Sequence, residues 1–344
     1  MTRTASPVRV VSLGALALGL LAACGPGWAY RLEGTFERDL SVSVPLRLTV
    51  RNPHGTVRVR RGEPGRVHVV GHVTVRAPSR KRAEAWLQRI MADPPVTQTD
   101  GDVRIEGPTW ARRSRGLFGS SWGLRVDYTV DVPPETDVRI TTGSGDVEVR
   151  DVDGPVRVRT GSGDVEVRSV RAAVEVEAGI GDIRIGEVRG DVDIRVGSGD
   201  VRLEAVLGRV TVRTGSGDLT VDRVEGTVEF ATGSGDVTLT DIAGDLRGRT
   251  GSGDVILRVR QVPTGRTWDL KTGSGDVEVT LPETAHFEVD AATGAGRVTV
   301  DFPLTTAAVQ GRRHVRGVAG SADLRIGARV GTGSIWIRRS AESQ

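Results

Sequence analysis

The chain has 344 residues, 38% of them hydrophobic and 4% aromatic, with 47 basic against 44 acidic side chains and a single cysteine. One cysteine excludes an intramolecular disulfide framework, so the fold must hold by burial and backbone pairing. The near-balance of charge excludes the basic footprint of a nucleic-acid-binding protein.

Residues 1–23 have the make-up of an export signal: Arg3 and Arg9 precede the apolar run Val10 to Ala23, and Leu21-Ala22-Ala23-Cys24 follows. The apolar run is too short to span a bilayer stably. Leu21 to Cys24 resembles a bacterial lipoprotein signal, which implies cleavage before Cys24 and lipidation of that residue. Its loss removes Arg3 and Arg9 and leaves 45 basic against 44 acidic residues. The sequence pI of 9.6 therefore says little about partners. Gly25, rather than Asp, follows Cys24, and by analogy with lipoprotein sorting this fits the outer membrane where there is one.

Residues 24–35, with Gly, Pro, Trp28 and Tyr30, read as a tether. Residues 36–140 read as an N-terminal β-rich cap with irregular early coils. Alternations such as Leu46/Leu48/Val50, Val57/Val59 and Val67/Val69 predict strands, and Asn52-Pro53-His54-Gly55 and Gly62-Glu63-Pro64-Gly65 predict turns. Ser79 to Met91 is the one predicted helix. Ser79 is its N-cap, and Ala83, Trp86, Leu87 and Ile90 form one apolar face. Its expected role is to cover the open edge of the stack. His68 and His72 lie four apart in a strand, about 13 Å along it, too far for one metal ion. Trp110, Arg112, Arg113, Arg115, Phe118 and Trp122 crowd one loop, a candidate surface for anionic lipid headgroups or envelope polymers.

Residues 141–280 are a repeat. Gly-Ser-Gly-Asp recurs with its aspartate at Asp146, Asp164, Asp182 (as Gly-Ile-Gly-Asp), Asp200, Asp218, Asp236 and Asp254, always 18 residues apart, and again at Asp276 after 22. A fixed period of this length signals a solenoid. Val147, Val149, Val152, Val156 and Val158 alternate with Glu148, Arg150, Arg157 and Arg159, so each coil holds two half-buried strands. Down the columns, position 147 stays aliphatic through Val165, Ile183, Val201, Leu219, Val237 and Val255. Glycines mark both corners. A lone coil buries too little to offset its ordering, whereas stacking at ~4.8 Å pairs the backbones and gives a rod roughly 40 Å long. The predicted fold is therefore all-β, a parallel β-helix (β-solenoid) of 18-residue coils with an irregular N-terminal cap containing one short helix. Residues 281–338 read as degenerate C-terminal coils with a loop over 302–320, and residues 339–344 as a tail.

Val126-Asp127-Tyr128-Thr129-Val130-Asp131-Val132-Pro133, then Asp137-Val138-Arg139-Ile140, the iterated Thr-Gly-Ser-Gly-Asp-Val and the closing Gly331-Thr332-Gly333-Ser334-Ile335 carry a resemblance. Over about residues 36–338 the chain resembles a bacterial β-strand-repeat family of unassigned function whose members are candidate adhesins, some of them associated with envelope stress. The resemblance implies a solenoid fold and supplies no catalytic residues.

Eight stacked aspartates about 5 Å apart would repel, each neighbouring pair by roughly 3 kcal/mol at an effective dielectric of about 20. Two readings offset this. Each carboxylate accepts hydrogen bonds from corner amides and nearby Ser or Thr hydroxyls, or Asp146, Asp164, Asp182, Asp200, Asp218, Asp236, Asp254 and Asp276 bind calcium, as in calcium-binding nonapeptide repeats. A carbohydrate-active β-helix enzyme is the alternative from another class. Such enzymes gather acids and bases in a groove built by loops that interrupt the coils, and only 258–271, with Arg260, Arg266, Trp268 and Asp269, interrupts the repeat. The expectation is a non-catalytic, lipid-anchored envelope protein, a scaffold or adhesin-like surface. Its expected partners are the membrane through the anchor and an envelope protein or polysaccharide, with no cofactor and no nucleic acid. The outward column Glu148, Glu166, Arg184, Arg202 and Thr220 mixes charge and predicts no single-sign patch.

Overall fold

The structure, a computed structural model, describes residues 30–107, 123–310 and 312–340. The export signal with Cys24 and the loop carrying Trp110, Arg112, Arg113, Arg115, Phe118 and Trp122 lie outside the described residues. The fold is all-β with one helix, and parallel strands stack into two sheets, so each regular coil is two-sided. Contacts divide the chain into two compact units, Met1–Asp164 and Val165–Gln344.

The first unit contains β1 (Tyr30–Ser41), β2 (Arg47–His54), β3 (Val57–Arg61), β4 (Arg66–Ala77), α1 (Arg80–Ala92), β5 (Val96–Thr99), β6 (Asp102–Glu106), β7 (Gly123–Val132), β8 (Asp137–Ser144), β9 (Val147–Val152) and β10 (Val156–Ser162). One sheet runs β1-β4-β7-β3-β9 and the other β5-β6-β2-β8-β10. Sequence order and spatial order differ here, because the coil formed by β2 and β3 lies between that of β6 and β7 and that of β8 and β9. The turn Asn52-Pro53-His54-Gly55 is accordingly a coil corner: Asn52 aligns with Thr142 and His54 with Ser144. The first strand starts at Tyr30, inside the stretch read as a tether, since β1 pairs antiparallel with β4 from Tyr30 to Ser41.

Helix α1 forms as its sequence predicts, with the Ser79 hydroxyl accepting from the Arg82 N–H and Ala83 and Ile90 buried. It lies on a face of the β1–β4 pair and does not cover the edge: a Cβ on Gly34 of β1 would stand 2.9 Å from Leu87 Cδ1. The physical reason is that β1 and β4 turn an apolar face inward, and α1 supplies the apolar stripe that covers it.

In the second unit the regular coils pair β11 (Val165–Val170) with β12 (Val174–Ile180), β13 (Ile183–Val188) with β14 (Val192–Ser198), β15 (Val201–Val206) with β16 (Val210–Ser216), β17 (Leu219–Val224) with β18 (Val228–Ser234), and β19 (Val237–Ile242) with β20 (Leu246–Ser252). β21 (Val255–Arg258), β22 (Arg266–Ser274), β23 (Val277–Leu281), β24 (Phe287–Ala295), β25 (Val298–Val300), β26 (Thr305–Gln310), β27 (His314–Ala319), β28 (Leu324–Thr332) and β29 (Ile335–Arg339) follow. Odd-numbered strands β11 to β23, then β29 and β25, make one sheet; even-numbered strands β12 to β22, then β28, β24, β27 and β26, make the other. Successive coils pair parallel and in register, as in Val201 with Leu219 and Val212 with Phe230.

The inward valines are spaced two, then three, as at Val147, Val149 and Val152, and the backbone explains the extra residue. Asp151, Ser169, Glu187, Ala205, Arg223 and Asp241 all have φ between 51 and 58°. A left-handed residue reverses the alternation, so the next valine faces inward again. This column has no glycine.

At the C-terminal end the order is again not sequential. The last coil, β28 and β29, lies between the coil of β22 and β23 and that of β24 and β25. Residues 302–320, expected as a loop, contain β26 and β27, an antiparallel hairpin on β24. The reading failed because a strand paired antiparallel at the sheet end does not share the 18-residue period.

Candidate functional site

The corner Thr-Gly-Ser-Gly-Asp is built from alternating inward and outward groups. Thr214, Thr232, Thr250 and Thr272 are buried at the end of each coil, and each hydroxyl donates to the serine carbonyl two residues on, as from Thr250 Oγ1 to Ser252 O at 3.2 Å. The serine side chains point outward and are exposed. The second glycine has φ near +130° and brings the chain into the next strand.

The aspartate that follows is tied to the next coil. Asp218 Oδ1 accepts from the Asp236 N–H at 2.9 Å, Asp236 Oδ1 from the Asp254 N–H at 2.9 Å, and Asp254 Oδ1 from the Asp276 N–H at 2.8 Å. The same bond joins Asp182 to Asp200 and Asp200 to Asp218 in this unit, and Asp146 to Asp164 in the first. The carboxylates are therefore hydrogen-bonded by corner amides, and in each of these bonds the donor belongs to the neighbouring coil. Charge-assisted bonds of this kind are roughly twice as strong as neutral ones and oppose the repulsion along the column. Arginines contribute too, with Arg184 at 3.1 Å from Asp182 and Arg202 at 3.5 Å from Asp200. The ladder ends on the intercalated last coil: the Ser334 N–H donates to Asp276 Oδ1 at 2.7 Å, and Ser334 Oγ accepts from the Arg297 N–H at 3.3 Å. Arg297 has no side-chain acceptor to continue it. Among the described residues no three His, Cys, Asp or Glu side chains come together as a metal-binding group.

The interruption at 258–271 sends one of the residues singled out there into the core and engages two others in ion pairs. Trp268 is fully buried, in register with Leu246 and Ile326, and its indole N–H donates to the Gly244 carbonyl at 3.1 Å. Arg260 clasps Asp241 through Nε at 2.7 Å and its backbone N–H at 3.0 Å, and Asp269 pairs with Lys271 at 2.8 Å. Arg266 is exposed. Nor do His68 and His72 meet. His68 Nδ1 lies 2.9 Å from Asp39, and His72 Nδ1 lies 2.9 Å from the Thr35 hydroxyl.

Two small clusters were not visible in the sequence. Asp39 is held by Arg66 at 2.8 Å and His68 at 2.9 Å, and Asp290 by Arg329 and His314, both at 2.9 Å. Both sit where antiparallel strands flank the stack, with partners 24–39 residues apart. Only knowledge of that pairing finds them. Buried polar atoms without a partner include the Tyr128 hydroxyl, whose pKa burial pushes above its ordinary value. Among the described residues no helix is long and apolar enough to cross a membrane.

No curated protein matches the chain. Three solved structures are similar at low identity. A candidate cell adhesion protein from Clostridium sporogenes is 12% identical, with 89% of this chain and all of that one covered and a TM-score of 0.22. A candidate adhesin from Bacteroides fragilis is 13% identical, covering 88% and 96%, with a TM-score of 0.25. A candidate lipid binding protein from Parabacteroides distasonis is 12% identical, covering 89% and 97%, with a TM-score of 0.34. The family model described as Toastrack DUF4097 matches residues 96–206 and again 204–338, and the chain belongs to that family.

Proposed function

We propose that the protein is a non-catalytic, lipid-anchored component of the bacterial cell envelope whose solenoid serves as a scaffold or adhesin-like binding surface. The observation that carries this reading is the aspartate ladder: the most repeated ionisable group of the chain is engaged in holding coil to coil. The lipobox-like Leu21-Ala22-Ala23-Cys24 supports anchoring through Cys24, to the outer membrane where one is present. Expressed in a bacterium and fractionated, the native chain is expected in the membrane pellet and Cys24→Ser in the soluble fraction. A variant that pellets as well as the native chain would overturn the anchor.

A further inference from the structure

The two sheets of the second unit do not present the same charge. On the sheet through β15, β17, β19 and β21 the outward residues mix signs: Arg202, Thr220, Thr238 and Ile256 stand in one row, and Glu204, Asp222, Thr240 and Arg258 in the next. The other sheet is different. Across β16, β18, β20 and β22, Arg213, Ala231, Arg249 and Lys271 stand in register, and Arg247 lies two residues before Arg249 on the same face. Arg213, Arg247 and Arg249 are exposed, and among the described residues none of them has a side-chain partner. Lys271 is paired with Asp269.

Three unpaired arginines on one sheet face are unusual in a molecule whose other cations are so often paired. Arg213 and Arg249 are two strands apart, about 10 Å, and the small side chain of Ala231 leaves a shallow gap between them. The stripe is narrow. Glu229 and Asp269 share the row of Arg247, one on each side of it, and the corner aspartates Asp218, Asp236 and Asp254 lie beyond the Arg213–Arg249 row on its other side. Those acids would repel a broad anionic plane such as a bilayer, but a chain one residue wide fits between them. A polyphosphate, whose charged phosphates are linked directly to one another and so stand closer together than carboxylates one sugar apart, would also crowd the flanking acids. A polymer with spaced carboxylates would not, and a guanidinium matches a carboxylate with two parallel hydrogen bonds. Ser216, Ser234 and Ser252 line the same edge with exposed hydroxyls suited to sugar hydroxyl groups. No aromatic side chain stands on these four strands' outward face, so base stacking of the kind that holds single-stranded nucleic acid has no platform.

We propose that this stripe binds a linear acidic polysaccharide, with its carboxylates on Arg213, Arg247 and Arg249. The proposal rests on the envelope-surface reading above and gives it a partner class. It is tested on the purified full chain by titration with polygalacturonate, with uncharged dextran, long-chain polyphosphate and phosphatidylglycerol vesicles as comparisons. Polygalacturonate is expected to bind, more weakly as salt rises, and dextran not to bind. Removing the charges in R213Q/R247Q/R249Q is expected to weaken binding about tenfold or more. Ala231→Glu, which places a carboxylate in the gap and keeps every arginine, should weaken it similarly, whereas Arg258→Gln on the opposite sheet should leave it unchanged. Thermal melting by circular dichroism checks that each variant is folded. The proposal is overturned if polygalacturonate does not bind, if the stripe variants bind it as the native chain does, or if polyphosphate or vesicles bind more tightly through the same arginines. None of these outcomes depends on Cys24, so failure here leaves the anchoring result standing, and the reverse.

Discussion

Ala205 and Gly217 stand near opposite corners of one coil, and both have positive φ, +54° and +124°. At Gly217 glycine is required twice over, because a Cβ would also lie 2.2 Å from the Gly199 carbonyl oxygen. Gly217→Ala therefore combines backbone strain with a clash against a backbone that the paired coils hold in place, and should cost about 2–4 kcal/mol. At Ala205 the logic runs the other way. A left-handed non-glycine residue is strained by about 1–2 kcal/mol, while glycine adds unfolded-chain entropy of roughly 0.5–1 kcal/mol. Ala205→Gly is thus expected to stabilise the fold by about 0.5–1 kcal/mol. Urea denaturation of both variants checks the pair; a destabilised Ala205→Gly would show that its stacked neighbours, and not its dihedral, set the energetics of that column.

Within the elements, the sheets compensate for missing side chains by pairing a glycine with an aromatic ring. Gly248 on β20 is in register with Phe230 on β18, and a Cβ there would lie 2.0 Å from the ring's ζ carbon. The first unit repeats the device antiparallel: Phe36 on β1 pairs with Gly71 on β4, where a Cβ would lie 2.3 Å from the ring, and Phe36 meets Tyr128 on β7 edge-on at 6.3 Å. One ring fills two positions, so the pair should behave as a unit. Gly248→Val alone overpacks the coil and should cost about 1–3 kcal/mol, and Phe230→Val alone leaves a void and should cost about 2–3 kcal/mol. The double variant restores an ordinary aliphatic column and should be more stable than the sum by on the order of 1–3 kcal/mol. A double-mutant cycle by chemical denaturation measures this coupling, and simple additivity would rule the device out. The aliphatic columns were legible in the sequence because each coil repeats at 18 residues. The Phe230–Gly248 exchange was not, since it departs from the pattern in two adjacent coils at once.

Across the whole molecule, the repeat made the solenoid, its coil length and α1 with its Ser79 cap readable from sequence. Both intercalated coils escaped that reading, because the chain returns to fill a gap between coils and sequence order no longer gives neighbours. The arginine stripe escaped it too. The column running from Glu148 to Thr220 mixes signs, and it belongs to the sheet opposite the one on which Arg213 and Arg249 stand. The ion pairs at the flanks of both units give the molecule a common response to acid. Arg260 beside Asp241 holds that carboxyl below its ordinary value despite partial burial. For Asp39, Asp137 and Asp290 burial is the largest influence and pushes the carboxyl up, but hydrogen bonds outweigh it, from His68 and Arg66, from Arg139 and Arg47, and from Arg329 and His314 in turn, and each ends below its ordinary value. A carboxyl whose folded pKa lies below its unfolded one, about 3.9 for aspartate, binds its proton more readily when the chain is unfolded. Its contribution is therefore present above that unfolded value and is lost as pH falls through the depressed folded values. The melting temperature should accordingly be level from about pH 7 to pH 5 and fall below about pH 4. Asp290→Asn removes one of the four groups and should melt lower than the native chain at neutral pH, with the two curves converging as pH drops. Parallel curves down to the acid limit would mean that the Asp290 carboxyl, despite its contacts with Arg329 and His314, contributes nothing that depends on its charge.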